Sequence, residues 1–294
     1  MATLREIRDR IGSIKNTEKI TKAMKMIASV KFRKAQQNVV AARPYARKIS
    51  DILRNLIPTI ESFDNELLKQ REIKKICVVV VAADRGLCGS FNTNLLKAAA
   101  SIIHDTYGEY YKNHDLTVFP IGKKAYDHFS KRNYDLYARS INVFDKLAFT
   151  DAQNIVKEII KGYIEKRFDK VVIIYNEFKS VIQSKTVEEQ FLPIPPFEAA
   201  EGEKSKVSNY IFEPSSVDIV TNLLPRHLNT QVWRILLESF ASEQAARMTA
   251  MDSATTNAND LLNSLNLTYN RARQAKITTE ILEIVGGAEA LSKG

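Results

Sequence analysis

The chain has 294 residues, 45% of them apolar and 26% charged, the balance of a soluble protein with one large domain or two modest ones. Its net charge is +9, and residues 1–57 alone hold fourteen Lys or Arg against four Asp or Glu, so the whole imbalance sits in the first segment. The longest apolar run, Ile76 to Ala83, is too short to cross a bilayer, the N-terminus has no apolar signal core, and two cysteines, Cys77 and Cys88, exclude a disulfide framework.

Thr3 and Glu6 make a capping box that opens a helix. Its apolar residues recur at steps of four and three: Leu4, Ile7, Ile11, Ile14, then Ala28, Phe32, Ala35, Val39, Ala42, Ala46, Ile49, Leu53, Leu56. Such a narrow stripe is of the coiled-coil kind. It is expected to break at Glu18, Thr21 and Lys25, where Ile20, Ala23, Met24 and Ile27 take over on a shifted face. Pro44 is expected to kink or break the helix, which at ~1.5 Å per residue spans about 80 Å.

The middle of the chain alternates strands and helices. Lys75–Ala83 reads as a buried strand, followed by a glycine turn and a helix from Asn92 to about Tyr111. Strands are expected at Leu116–Ile121, Tyr134–Ile141 and Val171–Tyr175, and helices at Lys124–Lys131 and Asp151–Phe168. This order predicts an α/β domain with a mainly parallel sheet covered on both faces. Val181–Phe191 reads as an added antiparallel edge strand, stopped by Pro193, Pro195 and Pro196, and Glu198–Lys206 as a polar loop.

A second long helix is expected from Ser215, where Ser215 and Asp218 repeat the capping pattern, to the paired glycines at Gly286. Its four-three count runs through Trp233, Leu237, Phe240, Met251, Ala254, Ala258, Leu261, Leu265, Ala272 and Ala275, with Gln244, Arg247 and Thr268 as polar seam positions. Pro225 marks an expected kink, and the helix spans about 105 Å. Two such helices at opposite ends of the chain predict an antiparallel pair in which the longer one overhangs. The overhang is apolar (Ile277, Ile281, Ile284, Val285, Ala288, Leu291), and a lone tip of that kind implies enclosure by another molecule. The expected parts are therefore a coiled-coil helix at 1–57, a Rossmann-like α/β domain at 73–213 and a coiled-coil helix at 214–294.

The most site-like stretch is Asp84-Arg85-Gly86-Leu87-Cys88-Gly89, which leaves a strand and opens a helix. It is neither a dinucleotide nor a P-loop fingerprint, and a tight turn eased by Gly86 and Gly89 is the favoured reading. The histidines His104, His114, His128 and His227 have no metal-ligand spacing, and no nucleophile with a base and orienter stands out, so no catalytic site, cofactor or metal is expected. Arg247 on the seam count reads either as a register break or as a fixed charge awaiting a partner's carboxylate. The basic first segment admits binding to nucleic acid or anionic membrane, but the expected lack of interleaved surface aromatics and the apolar tip weigh against it.

Ile-Thr-Lys-Ala-Met-Lys-Met at 20–26 resembles the first helix of the gamma subunit of F-type ATP synthases. So do Ala241 to Met251, Tyr269 to Ala275 with the Ile277–Gly287 tail, and the Asp84–Gly89 turn, in the family's order and over essentially the full length. The resemblance implies a rotor shaft, with the helices inside a ring of three alpha and three beta subunits. The α/β domain would be a foot on the membrane rotor ring beside the epsilon subunit, with the added sheet edge and Tyr210–Glu213 available to it. It implies Met24 and Lys25 near a lever of the beta subunit, Arg247 in ionic contact with that lever, Arg273 and Gln274 against a catching loop, and Asp84, Arg85, Gly86 and Gly89 as a structural turn. The tip residues Ile277, Ile281, Ile284, Val285 and Leu291 would sit in an apolar sleeve. The expectation is a peripheral subunit on the cytoplasmic face of a bacterial cell membrane, without nucleic acid, membrane insertion, or the regulatory cysteine insert of chloroplast members.

Overall fold

The computed structural model describes residues 3–60, 65–181, 183–195, 213 and 215–292; the side chains of 59 and of 289–292 are outside that description. The chain forms two compact units, Ser29–Arg247 and Met1–Ala28 with Met248–Gly294.

Within the larger unit, β1 (Ile76–Val81), β2 (Leu116–Ile121), β3 (Lys170–Phe178) and β4 (Ser184–Leu192) make one sheet in the order β2-β1-β3-β4. The first three are parallel, and β4 pairs antiparallel with β3 at the edge, as the sequence implies. Every residue of β1 is buried. Alternation of its side chains divides two cores. Cys77, Val79 and Val81 face α5 (Phe149–Ile164) together with parts of two long helices, α1 (Leu4–Leu56) and α6 (Ser216–Ser292). Ile76, Val78 and Val80 face α2 (Phe91–Asp105) and α4 (Lys123–Ser130).

Two expectations for this unit need correction. The helix read from Asn92 to Tyr111 is two helices, because the chain turns at Thr106–Tyr107 before α3 (Gly108–Lys112). The third strand read at Tyr134–Ile141 pairs with β2 only through isolated bridges at Leu136 and Ser140. Asn133 and Asn142 bracket that segment at φ +55° and +62°, and backbone of this kind cannot continue a strand.

The long helices have a different character in each unit. In the larger one, α1 buries Ala35, Val39, Ile49 and Leu53 as a stripe, whereas α6 is buried almost all round from Val232 to Ala245. There α6 has the sheet on one side: Ser239 Oγ donates to the Val81 carbonyl at 3.5 Å and Ser242 Oγ to the Asn176 carbonyl at 3.4 Å. The narrow seam expected from Trp233 onward is therefore the wrong reading for that stretch.

In the smaller unit the helices pair antiparallel, with Thr21 against Thr255 and Lys25 against Asp252. The seam on α1 does not shift faces. It runs unbroken through Ile14, Glu18, Thr21, Lys25 and Ala28, leaving Ile20 and Ile27 each 59% exposed on the outside. A heptad backbone keeps its register through polar layers when the flanking layers are apolar. On α6 the seam passes through Leu262 and Tyr269; Leu261 and Thr268 point outward, and Ala275 is exposed.

Pro44 and Pro225 lie inside unbroken helices, each removing one backbone donor. Gly286 and Gly287 do not end α6, which continues to Ser292. Both expected caps are present: Thr3 with Glu6, and Ser215 Oγ accepting the Asp218 N–H at 3.1 Å. Pro196, Glu198–Lys206 and Tyr210 lie outside the described residues.

Candidate functional site

The Asp84–Gly89 turn is a structural clasp. Asp84 is 6% exposed, and its carboxylate accepts three backbone N–H groups: Oδ1 from Lys123 (2.9 Å) and Asn142 (2.7 Å), Oδ2 from Phe144 (2.9 Å). It thereby ties the end of β1 to the end of β2 and to the segment leading into α5. Positive φ falls at Leu87 (+61°) and Gly89 (+58°), so the conformational demand rests on Gly89 and a leucine, not on Gly86. Arg85 makes an exposed pair with Asp145 at 2.8 Å. Sequence reading missed Gly122, at φ +90°, where a Cβ would stand 2.0 Å from the Ala82 carbonyl oxygen. It also missed Asn92, whose side-chain oxygen accepts the Ala83 N–H at 3.0 Å.

Arg247 is drawn into this clasp. Its guanidinium lies 2.5 Å from the Glu243 carboxylate, one helical turn back, and donates to the Gly86 carbonyl at 3.1 Å. Burial pushes the Glu243 carboxyl up, against the pull of Arg247, and burial likewise pushes the Cys88 thiol up. Cys77, fully buried, is pushed up to about 12, so neither thiol has the character of a nucleophile. A second polar cluster was invisible in the sequence because its members come from two elements. Nη2 of Arg234 on α6 donates to both carboxylate oxygens of Glu189 on β4 (2.9 and 2.8 Å), and Gln231 donates to the same carboxylate at 2.7 Å. His227 beside it is pushed down to about 4, chiefly by burial.

In the smaller unit the polar layer is explicit. The Thr21 and Thr255 hydroxyls meet at 2.8 Å, and each also bonds a carbonyl of its own helix, Glu18 and Met251 respectively. Lys25 pairs with Asp252 at 2.5 Å, both side chains well exposed, beside a half-buried Met24. Arg273 and Gln274 are exposed about 21 residues farther along α6 than Asp252, roughly 30 Å at helical rise. The structure thus brings Met24 and Lys25 together and sets Arg273 and Gln274 apart from them.

Beyond Ala272 every described position of α6 to Ala288 is exposed, including Ile277 (47%), Ile281 (55%), Ile284 (71%) and Val285 (57%); the side chain of Leu291 is outside the description. Ile20 and Ile27, read in the sequence as part of a shifted seam, instead form with Met26 an outer apolar strip on α1, each 59% exposed. The seven-residue spacing of the two isoleucines was the signal. Among the described residues no helix is long and apolar enough to cross a membrane, and no group of His, Cys, Asp or Glu is placed to hold a metal ion.

The ATP synthase family model matches residues 3–291. The chain is 48% identical to the ATP synthase gamma chain of Chloroherpeton thalassium, covering all of this chain and 99% of that one. It is 47% identical to that of Chlorobaculum parvum over the full length of both. Among solved structures it is similar to a chain of the Euglena gracilis mitochondrial ATP synthase rotor, at TM-score 0.65 and 21% identity, covering 93% of this chain and 98% of that one. It is also similar to a chain of the central stalk and c-ring of the Tetrahymena thermophila enzyme, at TM-score 0.60 and 23% identity, covering 80% and 99%.

Proposed function

The chain belongs to the family of ATP synthase gamma chains, and from that premise we propose how its surfaces serve the assembly. It is the central-stalk subunit of an F-type ATP synthase, coupling rotation of the proton-driven membrane ring to ATP synthesis and hydrolysis in the alpha3beta3 head. Our reading is that it carries out no chemistry itself. It changes the relative stability of open and closed beta subunits as it turns, which is coupling between sites in the thermodynamic sense.

The observation that carries this reading is the single-helix end of α6, whose apolar side chains stand in solvent over four turns. Large apolar residues in such a row call for a surrounding partner surface. We place the tip in an apolar sleeve of the head, and the outer strip of α1 against the head's inner wall. Residues 1–57 and 214–294 then act as the shaft. Residues 73–213 act as the foot, contacting epsilon and the ring at the cytoplasmic face of the bacterial membrane.

The polar contacts divide by how readily they exchange. Lys25 and Asp252 are both exposed, so their pair is worth at most about 1 kcal/mol, and Lys25 can pass to a carboxylate of a beta lever at little cost. Arg247 is held in a nearly buried pair, so any lever contact at Arg247 shares a charge that already has a partner. Arg273 and Gln274 are exposed, as a contact with a catching loop requires.

The test is reconstitution: purified alpha and beta subunits with and without this chain, followed by size exclusion and ATPase measurement. The expected result is a stable hexamer-plus-one with steady ATPase. Failure to join or activate, under conditions where another gamma chain does both, overturns the reading.

A further inference from the structure

We propose that a half-enclosed cavity beside the Asp84 clasp binds a nucleoside di- or triphosphate, a site separate from the shaft's contacts with the head. The cavity holds about 380 Å³, within the range of ~300–1,000 Å³ typical of small-molecule sites. It is walled by α1, by α6 and by the segment after Asn142, all within the larger unit.

Its floor is apolar and aromatic. The rings of Phe144 and Phe240 lie nearly parallel, 9° apart with centroids 6.0 Å from each other. Its rim carries Lys31, Lys34 and Lys146, and none of the three is in a salt bridge among the described residues. The one acidic group of the lining, Asp145, is neutralised by Arg85 at 2.8 Å. Asn38 adds an amide able to donate and accept.

Three ammonium groups outside any salt bridge among the described residues, of which Lys31 also feels the buried Glu243 carboxyl, suit a ligand with two or three negative charges and a flat ring system. Lysines bind phosphate as point charges, and the partly exposed Phe240 ring, backed by the buried Phe144, offers one aromatic face to a base. The size of the lining argues against a partner helix. On α1 it runs only from Lys31 to Asn38, two turns or about 10 Å, too short a trough for a helix yet long enough for a nucleotide.

The test uses the full chain alone, with ADP, pyrophosphate, adenosine and an oligoglutamate peptide as separate probes in equilibrium dialysis at low and moderate salt. Saturable ADP binding below about 1 mM is expected, with pyrophosphate and adenosine each at least tenfold weaker. Lys34→Gln with Lys146→Gln should weaken ADP at least tenfold and flatten its salt dependence. Phe240→Leu, which keeps the wall apolar, should weaken ADP severalfold and leave pyrophosphate unchanged. The proposal is overturned if ADP shows no saturation, if the double variant binds it as the parent does, or if pyrophosphate binds as tightly as ADP. It is equally overturned if the peptide outcompetes ADP through the same lysines, which would make the site a protein contact. None of these readouts involves the head, so the rotor reading stands or falls separately.

Discussion

Replacing Asp84 tests whether the turn after β1 is a clasp or merely a connection. The carboxylate accepts three backbone N–H groups, one fully buried at Phe144 and two partly buried at Lys123 and Asn142. Asp84→Ala leaves all three without an acceptor. A buried orphaned donor costs about 1–3 kcal/mol, and donors that water can reach cost nearer 1 kcal/mol each, so the sum is roughly 3–5 kcal/mol. Asp84→Asn keeps one oxygen for the pair at Lys123 and Asn142 but turns an NH2 toward the Phe144 N–H. That is one donor facing a donor, plus the loss of charge, at roughly 2–3 kcal/mol. For a unit of this size each kcal/mol lowers the midpoint by ~2–4 °C, so the alanine variant should melt about 10 °C lower and the asparagine variant about half as far down. Thermal melts followed by circular dichroism measure this, and hydrogen exchange should quicken first at Lys123, Asn142 and Phe144. If both variants melt within a degree of the parent, or if asparagine is worse than alanine, the three-amide account is wrong.

Gly122→Ala should be among the most damaging single changes, costing more than about 3 kcal/mol or preventing folding, because its Cβ meets a backbone oxygen; soluble yield and melting temperature report it. By contrast Gly286→Ala with Gly287→Ala, where nothing lies within 4 Å, should raise the helicity of the free chain and add about 0.5–1 kcal/mol of helix stability per site. Thr21→Val with Thr255→Val removes both hydroxyls of the polar layer together and should be neutral to stabilising by up to about 1 kcal/mol in a denaturant series; a loss of more than that would mean the pair is a net stabiliser. His227 sits at about 4 when folded, below its ordinary value of 6.5, so the unfolded chain binds the extra proton between those pH values. Stability from this group is therefore full above pH 6.5 and lost as pH falls toward 4, by an amount on the order of 1–3 kcal/mol, and His227→Gln should flatten the slope. Met24→Lys should cut proton pumping in vesicles severalfold while hydrolysis stays within about twofold; equal loss of both would remove Met24 from the coupling surface.

Much of the fold was legible because local signals agreed. The seam at Leu4–Ile14 and Ala28–Leu56, both caps, three of the four parallel strands expected, and the antiparallel edge all follow from period and turn chemistry. The failures share one cause, which is that periodicity counts apolar residues and not neighbours. At Glu18, Thr21 and Lys25 the count appeared to jump to Ile20 and Ile27, whereas the layer is held by hydroxyls and an ion pair that only the opposite helix supplies. At Leu261 and Leu262 two adjacent leucines offered the stripe equally, and the partner chose the second. Arg247 was legible as an unusual seam residue, but its partners, Glu243 and the Gly86 carbonyl, meet only once the turn after β1 is folded against α6. The Arg234–Glu189 pair gave no sequence signal at all, since its halves lie 45 positions apart.

The bare end of α6 has a consequence for how the subunit is made and kept. Sixteen residues of single helix from Arg273 to Ala288, with two glycines near the end, are close to the minimum at which a helix persists alone in water. Their order then depends on what surrounds them, so the last step of folding and the first step of joining the complex become the same event. Under the proposal that a sleeve encloses the tip, a copy without companions would offer proteases this apolar tail and an incorporated copy would not. Turnover of surplus shafts would then follow from the end of one helix, with no dedicated degradation signal required.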